Sequence, residues 1–380
     1  ELLKVVPAAT IKPGDVLIYN LGALGGNHLN DVKVVRPVFF EGEIVAFAVS
    51  LAHWPDIGGT WPGSYLAKAI DTFQEALRIP PIRVATADGV NDAIVQFLKV
   101  NVRDPESCEG DLLGQIACTL AGEKRIVELC KTHGRDMFVA SLSRLHDLSE
   151  AEMREAILAL PDGTYEGEDF LDDGGPDDEP ARVHVKIIIK GDEATFDLSG
   201  SCDRVSNFCN TTSFIARSAV AYSARIMSGR DMQQNGGALR PLTIITRPGS
   251  IFEPGLTAPV AAGNHETSLR IVDAIFLAMK DVIPDRLSAG GATTSGMLSF
   301  AEPRADGSWK MLYEVHAGGE GARHDRPGCP ATRVHLTNTS NTPAEVIEAN
   351  YNIRVEQQAI RWNSGGAGRH AGGDGVVRSY

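Results

Sequence analysis

No apolar run in this sequence reaches the roughly 18 to 20 residues that a membrane-crossing helix needs, so a transmembrane helix is excluded and no membrane partner is expected. There is no G-x-x-x-x-G-K-[ST] loop and not one Gly-Lys dipeptide. The usual phosphate cradle is therefore missing, and any nucleotide is expected on another chain. G-x-S-x-G is absent too, which removes the commonest serine-hydrolase arrangement. The six cysteines (108, 118, 130, 202, 209 and 329) form no C-x-x-C pair and no dense framework, a pattern of reduced thiols that points to the cytoplasm. Positive charge is short: 36 Lys and Arg face 49 Asp and Glu, net -13, a surface that repels phosphate backbones and argues against nucleic acid. Small molecules and proteins remain as ligands.

What is present is ordinary globular material, 43% hydrophobic and 22% charged over 380 residues, enough for two to three units at about 150 residues per domain. The chain opens at Glu1 without Met or a signal-like segment and reads as a piece of something longer. DVLIYN, VKVVRPVFF and EIVAFAVSLA between residues 15 and 52 read as strands. Helical spacing is expected over 61–77 and 110–130, and Ser149-Glu150-Ala151-Glu152 reads as a capping box opening a helix before Pro161. Nine acidic residues in 162–180, with four glycines and two prolines, read as a solvated loop or hairpin tip and the best seam. RVHVKIIIK and EATFDLSG form a strand pair around Gly191-Asp192, followed by helices near 215–227 and 266–280. The expected fold class is mixed α/β (α+β): a strand-rich N-terminal region with helices (1–160), an acidic loop, hairpin and Ala-rich helix (161–260), and an apolar helix with a Gly-rich mixed β region (261–380).

Two strand ends carry the densest chemistry. Gly25-Gly26-Asn27-His28-Leu29-Asn30-Asp31 precedes one strand and His53-Trp54-Pro55-Asp56-Ile57-Gly58-Gly59 follows another, each containing H-x-x-D. Imidazole plus carboxylate suits Mn, Fe or Zn, and strand-end loops can gather such groups round one ion. The spacing itself says little, because His133-Gly134-Arg135-Asp136 repeats it on a helix end; turn residues capping strands are the competing reading. Asn264-His265-Glu266 stands before an apolar helix, where an N-cap explains it. Glu75 beside Gln74, Asn101 with Arg103, and Asp111 with Gln115 are polar groups within apolar stretches that line a pocket or a solvated helix face. Gly366-Ala367-Gly368-Arg369-His370 has the look of a dinucleotide fingerprint but lacks the βαβ unit that would make it one.

Taken in order, GGNHLNDVKVVRPVF, AHWPDIGG, PGSY, QEALRIPP, NVRDP, GDLLGQIA, DGTYEGEDFLDD, VAAGNHETS, GGEGARHD, NTPAEVIE and SGGAGRHAGGDGVVR resemble the hydantoinase B / oxoprolinase family across nearly the whole chain. The resemblance implies a large mixed α/β subunit working beside an A-type partner of actin-like, ATP-binding fold in a hetero-oligomer. It also implies a divalent ion held by His28, Asp31 and His53. The sequence departs from the family pattern at Asn20-Leu21-Gly22-Ala23, where N-D-P-Y is common, at Trp54, and at His265, where an apolar residue usually stands. These departures surround the expected pocket and bear on the substrate.

The resulting expectation is a metal-bearing B subunit that opens a cyclic amide of hydantoin, oxoproline or lactam type, with ATP used on the partner. Asp56 is expected to orient an imidazole or take a proton, with Glu266 beside it in catalysis and Asn264 and Glu75 holding the small-molecule substrate. Ketone carboxylation of the acetone or acetophenone type, and a non-catalytic scaffold, are the alternatives.

Overall fold

The computed structural model describes residues 1–26, 28–174, 179–337 and 339–380. Two compact units are present: Glu1–Leu145 with Phe300–Met311, and His146–Ser299 with Leu312–Tyr380. The expected breaks at 160 and 260 are not the ones found. Residues 161–260 and most of 261–380 share one unit, and 300–311 returns to the other.

In chain order the first unit holds helix α1 (Leu2–Val5), strands β1 (Val16–Tyr19), β2 (Asp31–Phe40) and β3 (Glu43–His53), helix α2 (Thr72–Glu75), strands β4 (Ile82–Thr86) and β5 (Gly89–Val90), and helices α3 (Asp92–Val100) and α4 (Pro105–His133). The strands form one antiparallel sheet in the order β3-β2-β1-β4-β5. Alternation explains how it is covered on both faces. Val16, Ile18, Val32 and Val34 point into a cluster with Trp54, Ile57, Leu98 and Leu112, while Leu17, Tyr19 and Val35 point the other way. Helix α4 lies along β2 and β3 on one face and the cluster of Leu17, Tyr19 and Val35 lies on the other, so the eight positions that open β2 are all buried. Its start is fixed by Asp104, whose side chain accepts from the Ser107 amide, with Pro105 at the first helical position.

Helix α5 (Arg135–Leu158) carries the chain into the second unit. The capping box expected at Ser149 lies inside it: Ser149 is buried, and its hydroxyl receives Asn235 Nδ2 at 2.8 Å. The helix expected over 61–77 is mostly loop. Pro62 and Gly63, the latter at φ 77°, leave one tight turn over Pro62–Ser64, and only α2 is helical beyond it.

The second unit continues with β6 (Gly163–Leu171), β7 (Ala181–Lys190), β8 (Glu193–Asp197), α6 (Ser213–Ser228), β9 (Leu242–Ile245), α7 (Ser268–Met279), the outer parts of the hairpin strands β10 (Gly296–Pro303) and β11 (Trp309–His316), whose residues 300–311 belong to the first unit, α8 (Ala344–Asn350), and the paired β12 (Gln357–Arg361) and β13 (Gly375–Ser379). Strands β6 to β9 form a sheet in sequence order, antiparallel except for β8 and β9, whose parallel pairing requires the crossover that contains α6. The acidic stretch read as a seam supplies β6, paired residue for residue with β7; residues 175–178 lie outside the described ones. Glu166 and Glu168 occupy its exposed face, so the acids are solvated without preventing a strand.

Gly167 lies against α7. A Cβ there would meet the Ala274 carbonyl oxygen at 2.2 Å and the Ala278 amide at 2.7 Å. Gly167→Ala is therefore expected to lift α7 from β6 and destabilise the second unit by about 1–3 kcal/mol, the usual range for overpacking. Denaturant unfolding of the variant checks this, and an unchanged midpoint would show the contact to be slack.

Candidate metal centre

The antiparallel register of β2 and β3 places Asp31 opposite His53. The loop before β2 then brings His28 alongside both. His28 Nδ1 stands 3.3 Å from Asp31 Oδ2, and the His28 and His53 rings lie 4.8 Å apart between centroids. His28 and Asp31 are buried, at 2% and 5% exposure, whereas His53 is exposed at the end of β3. Buried imidazole nitrogens ordinarily have partners; His28 Nδ1 makes no hydrogen bond. Among the described residues, no three His, Cys, Asp or Glu side chains already converge as metal ligands do. What the structure shows is two imidazoles and a carboxylate side by side, a donor set that fits Mn, Fe or Zn in type, with the buried His28 Nδ1 facing the Asp31 carboxylate.

Burial acts to raise the Asp31 pKa, but His28, His53 and Lys33 together outweigh it and hold the carboxyl below the usual range. It is ionised at neutral pH. Lys33, two residues further along β2, is buried with its Nζ 3.1 Å from the Asp31 carbonyl and 5.6 Å from the centre of the Tyr19 ring. Desolvation lowers its pKa, against the pull of Asp31.

Two buried asparagines fix the loops. Asn20 Nδ2 donates to the Leu29 and Leu77 carbonyls and its Oδ1 accepts from the Ile79 amide, tying the segment that holds His28 to the 77–79 strip. Asn30 Nδ2 donates to the carbonyls of Trp54 and Gly63. Gln115 on α4 accepts from Trp54 Nε1 and donates to the carbonyls of Val32 and Ser50, so the residue after His53 is anchored to the strands below it. Gln115 is neither of the things expected of it, pocket wall or solvated face; it is a buried clamp.

Asp56 also departs from expectation. Its oxygens accept from the amides of Gly58, Gly63 and Arg103 at 3.0, 3.0 and 3.1 Å and from Arg103 Nη1 at 2.8 Å. Arg103 in turn donates to the carbonyls of Gly59 and Trp61. With its lone pairs so engaged, Asp56 holds the 56–63 loop shut and is not placed to orient an imidazole or take a proton. Glu75 is buried at the end of α2, where the neighbouring Gln74 carbonyl receives the Thr60 amide. His133 and Asp136 stand exposed at the corner between α4 and α5, where Arg135 pairs with Glu43 at the opposite end of β3 from His53.

Asn264 and Glu266 belong to the second unit, in a π-helical turn (Gly263–Thr267) that runs directly into α7; no side chain caps the helix there. Glu266 Oε1 accepts the Ser295 amide at 2.7 Å, His265 Nδ1 is 3.1 Å from Ser295 Oγ, and Arg333 Nη2 donates to that hydroxyl at 2.7 Å. Asn264 Oδ1 is buried without a hydrogen bond. Such π turns cluster at functional sites. Lys33 and Ser295 escaped the sequence reading, and Asn20 and Asn30 were named in it without the supporting role they have; a lysine inside an apolar strand was the one available signal for the first pair.

Residues 2–380 match the family model described as Hydantoinase B/oxoprolinase. The chain is 29% identical over 372 residues to the caprolactamase subunit beta of Pseudomonas jessenii, covering 96% of this chain and 64% of that one. It is 31% identical over 376 residues to the 5-oxoprolinase of Dictyostelium discoideum, covering 97% of this chain and 28% of that protein. The crystal structure of the ATP-dependent caprolactamase from Pseudomonas jessenii superposes with a TM-score of 0.91 at 26% identity, over 99% of this chain and 66% of that one. A nucleotide-free acetone carboxylase structure shares the fold at a TM-score of 0.88 and 17% identity, over 99% of this chain and 52% of that one. The chain thus spans under two thirds of the curated relatives it matches. With the expected mixed α+β architecture found throughout, the chain belongs to the hydantoinase B/oxoprolinase family.

Proposed function

We propose that this chain is the metal-bearing B-type component of an ATP-dependent enzyme that opens a cyclic amide, working with an A-type partner that binds the nucleotide. The observation that carries the reading is the buried His28, its Nδ1 in no hydrogen bond and 3.3 Å from Asp31 Oδ2, packed beside the exposed His53. Its relatives include an ATP-dependent caprolactamase and a 5-oxoprolinase, both named for cyclic amides.

His28, Asp31 and His53 would hold a divalent ion, which supplies Lewis acidity for activating water and polarising an amide oxygen. The ionised Asp31 brings the negative charge such an ion needs, and the Lys33 ammonium beneath it limits the excess. Exposure of His53 leaves the site open to solvent and substrate on that side. The Asp56–Arg103 clamp and the Asn20 and Asn30 bonds keep the loops carrying these ligands in place. Glu266 and Asn264 remain candidates for contacts to substrate in the second unit, because Asn264 Oδ1 has no partner of its own.

The test is ATP turnover by the assembled enzyme on hydantoin, 5-oxoproline, caprolactam, acetone and acetophenone. Turnover on a cyclic amide is the expected result; turnover confined to ketones would replace amide opening with carboxylation. A separate expectation concerns the nucleotide. Lacking a Gly-Lys phosphate loop and carrying a net charge of -13, the chain alone should bind ATP no tighter than millimolar. Calorimetry that found micromolar binding to the chain alone would overturn the division of labour.

A further inference from the structure

The second unit contains two adjoining hollows that the proposed reaction does not use. The outer cleft, about 850 Å³, has an apolar floor that includes Phe276, Leu277, Pro284 and Leu287. The inner cavity, about 160 Å³, shares Phe276, Ser288, Gly291 and Arg323 with it. Pockets of such size and mixed lining are typical of small-molecule sites.

Charge in both hollows is positive against the trend of the chain. The inner cavity is lined by three guanidinium groups, Arg286, Arg323 and Arg333, and one carboxylate, Glu320. Glu320 is committed to Arg323 at 2.7 Å, and Asp273 in the outer cleft is committed to His335 at 2.9 Å. Among the described residues, Arg286 and Arg333 have no acidic oxygen within ion-pair distance; Nε and Nη1 of Arg333 are buried without a hydrogen bond. Buried donors left unmet are costly and rare. The outer cleft adds Lys280 and Arg369, exposed and without an ion pair among the described residues. Arg369 sits in the Gly-rich loop that resembled a dinucleotide fingerprint. Just beyond that loop the backbone packs closely, and a Cβ on Gly319 would meet the Gly373 carbonyl oxygen at 1.8 Å. The loop brings Arg369 and His370 to the cleft wall.

We infer that the two hollows form one oxyanion site for a small molecule that ends in a carboxylate or phosphate and carries an apolar body. The head group takes the inner guanidinium groups, where bidentate bonding to such oxygens is favoured. The body lies on Phe276 and Leu287. The inference does not depend on the metal centre, since every lining residue belongs to the second unit.

Calorimetric titration of the full-length protein tests it, with phenyl phosphate, phenylacetate, inorganic phosphate and benzyl alcohol as probes. Repeating it in a His53→Ala background excludes anions held at the metal centre. Saturable, salt-weakened binding of phenyl phosphate or phenylacetate is expected, with the tighter of the two identifying the head group and with inorganic phosphate and benzyl alcohol weaker. Arg333→Gln should weaken that binding about ten- to a hundredfold, the loss of a charged hydrogen-bonding partner. Arg369→Ser, at an exposed position whose side chain makes no hydrogen bond or ion pair among the described residues and so does not endanger folding, should weaken it several-fold. Binding of neither anion, equal binding of benzyl alcohol, or affinities unmoved in folded Arg333→Gln and Arg369→Ser proteins would overturn the inference.

Discussion

Replacing His53 by alanine is expected to cut turnover of the assembled enzyme more than about 100-fold while leaving its stability nearly unchanged. Loss of a ligand's outer partner alone costs metal sites about 10 to 100-fold, and loss of the ligand itself costs more. The fold has little stake in the side chain. His53 is exposed at the last residue of β3, and its pairing with Asp31 across the ladder is a backbone arrangement that alanine keeps. Exposed substitutions of this kind usually shift stability by no more than about 0.5 kcal/mol. The variant should co-purify with its partner, retain the partner's ATP binding, and contain less than one ion per chain. Full activity in a folded variant would reduce His53 to a strand end.

Asp56→Ala should behave in the opposite way, with a loss of stability of about 3–5 kcal/mol, the cost of removing one member of a buried ion pair. The carboxylate is wholly buried and Arg103 four-fifths buried, so solvent cannot easily take over the exposed charge. Three backbone amides lose their acceptor together with the guanidinium. Because Trp61, Gly59 and Gly63 hang on the same clamp, the 56–63 loop should loosen next to His53 and activity should fall with it. Thermal unfolding of the variant, set against Arg103→Gln, separates the two contributions. An Asp56→Ala protein as stable as the parent but inactive would restore Asp56 to the chemistry.

The contrast between these residues shows what the sequence could reveal. Asp31 and Asp56 each close an H-x-x-D string, and only the ladder register, which a strand pattern does not specify, separates a carboxylate beside two imidazoles from one locked to an arginine forty-seven positions away. The β-branched and aromatic runs in 15–52 made β1 to β3 legible, and they are near-continuously apolar because each face meets a core of its own. Helix α4 was legible in its interior. The capping-box pattern at Ser149 misled because a serine buried inside a helix and bonded to a distant asparagine has the same local sequence as a cap. The acidic run in 162–180 misled because strand formation needs only one face to pack, and the glycine that lets α7 approach β6 was read as loop chemistry. Unit boundaries were out of reach altogether, since the return of 300–311 to the first unit is a long-range event without local signature. The placement of His28, Asp31 and His53 near one another followed from strand-end loops plus family likeness; the buried supports Asn20, Asn30 and Lys33 had no motif to announce them.

Metal analysis of the full-length protein purified with its partner, alongside His28→Ala and His53→Ala, addresses the central claim most directly. The account predicts close to one divalent ion per chain in the parent protein and a sharp loss in both variants, with Asn264→Ala retaining the ion. A parent protein that is active without any bound ion, or folded variants at His28 and His53 that keep it in full, would contradict the account.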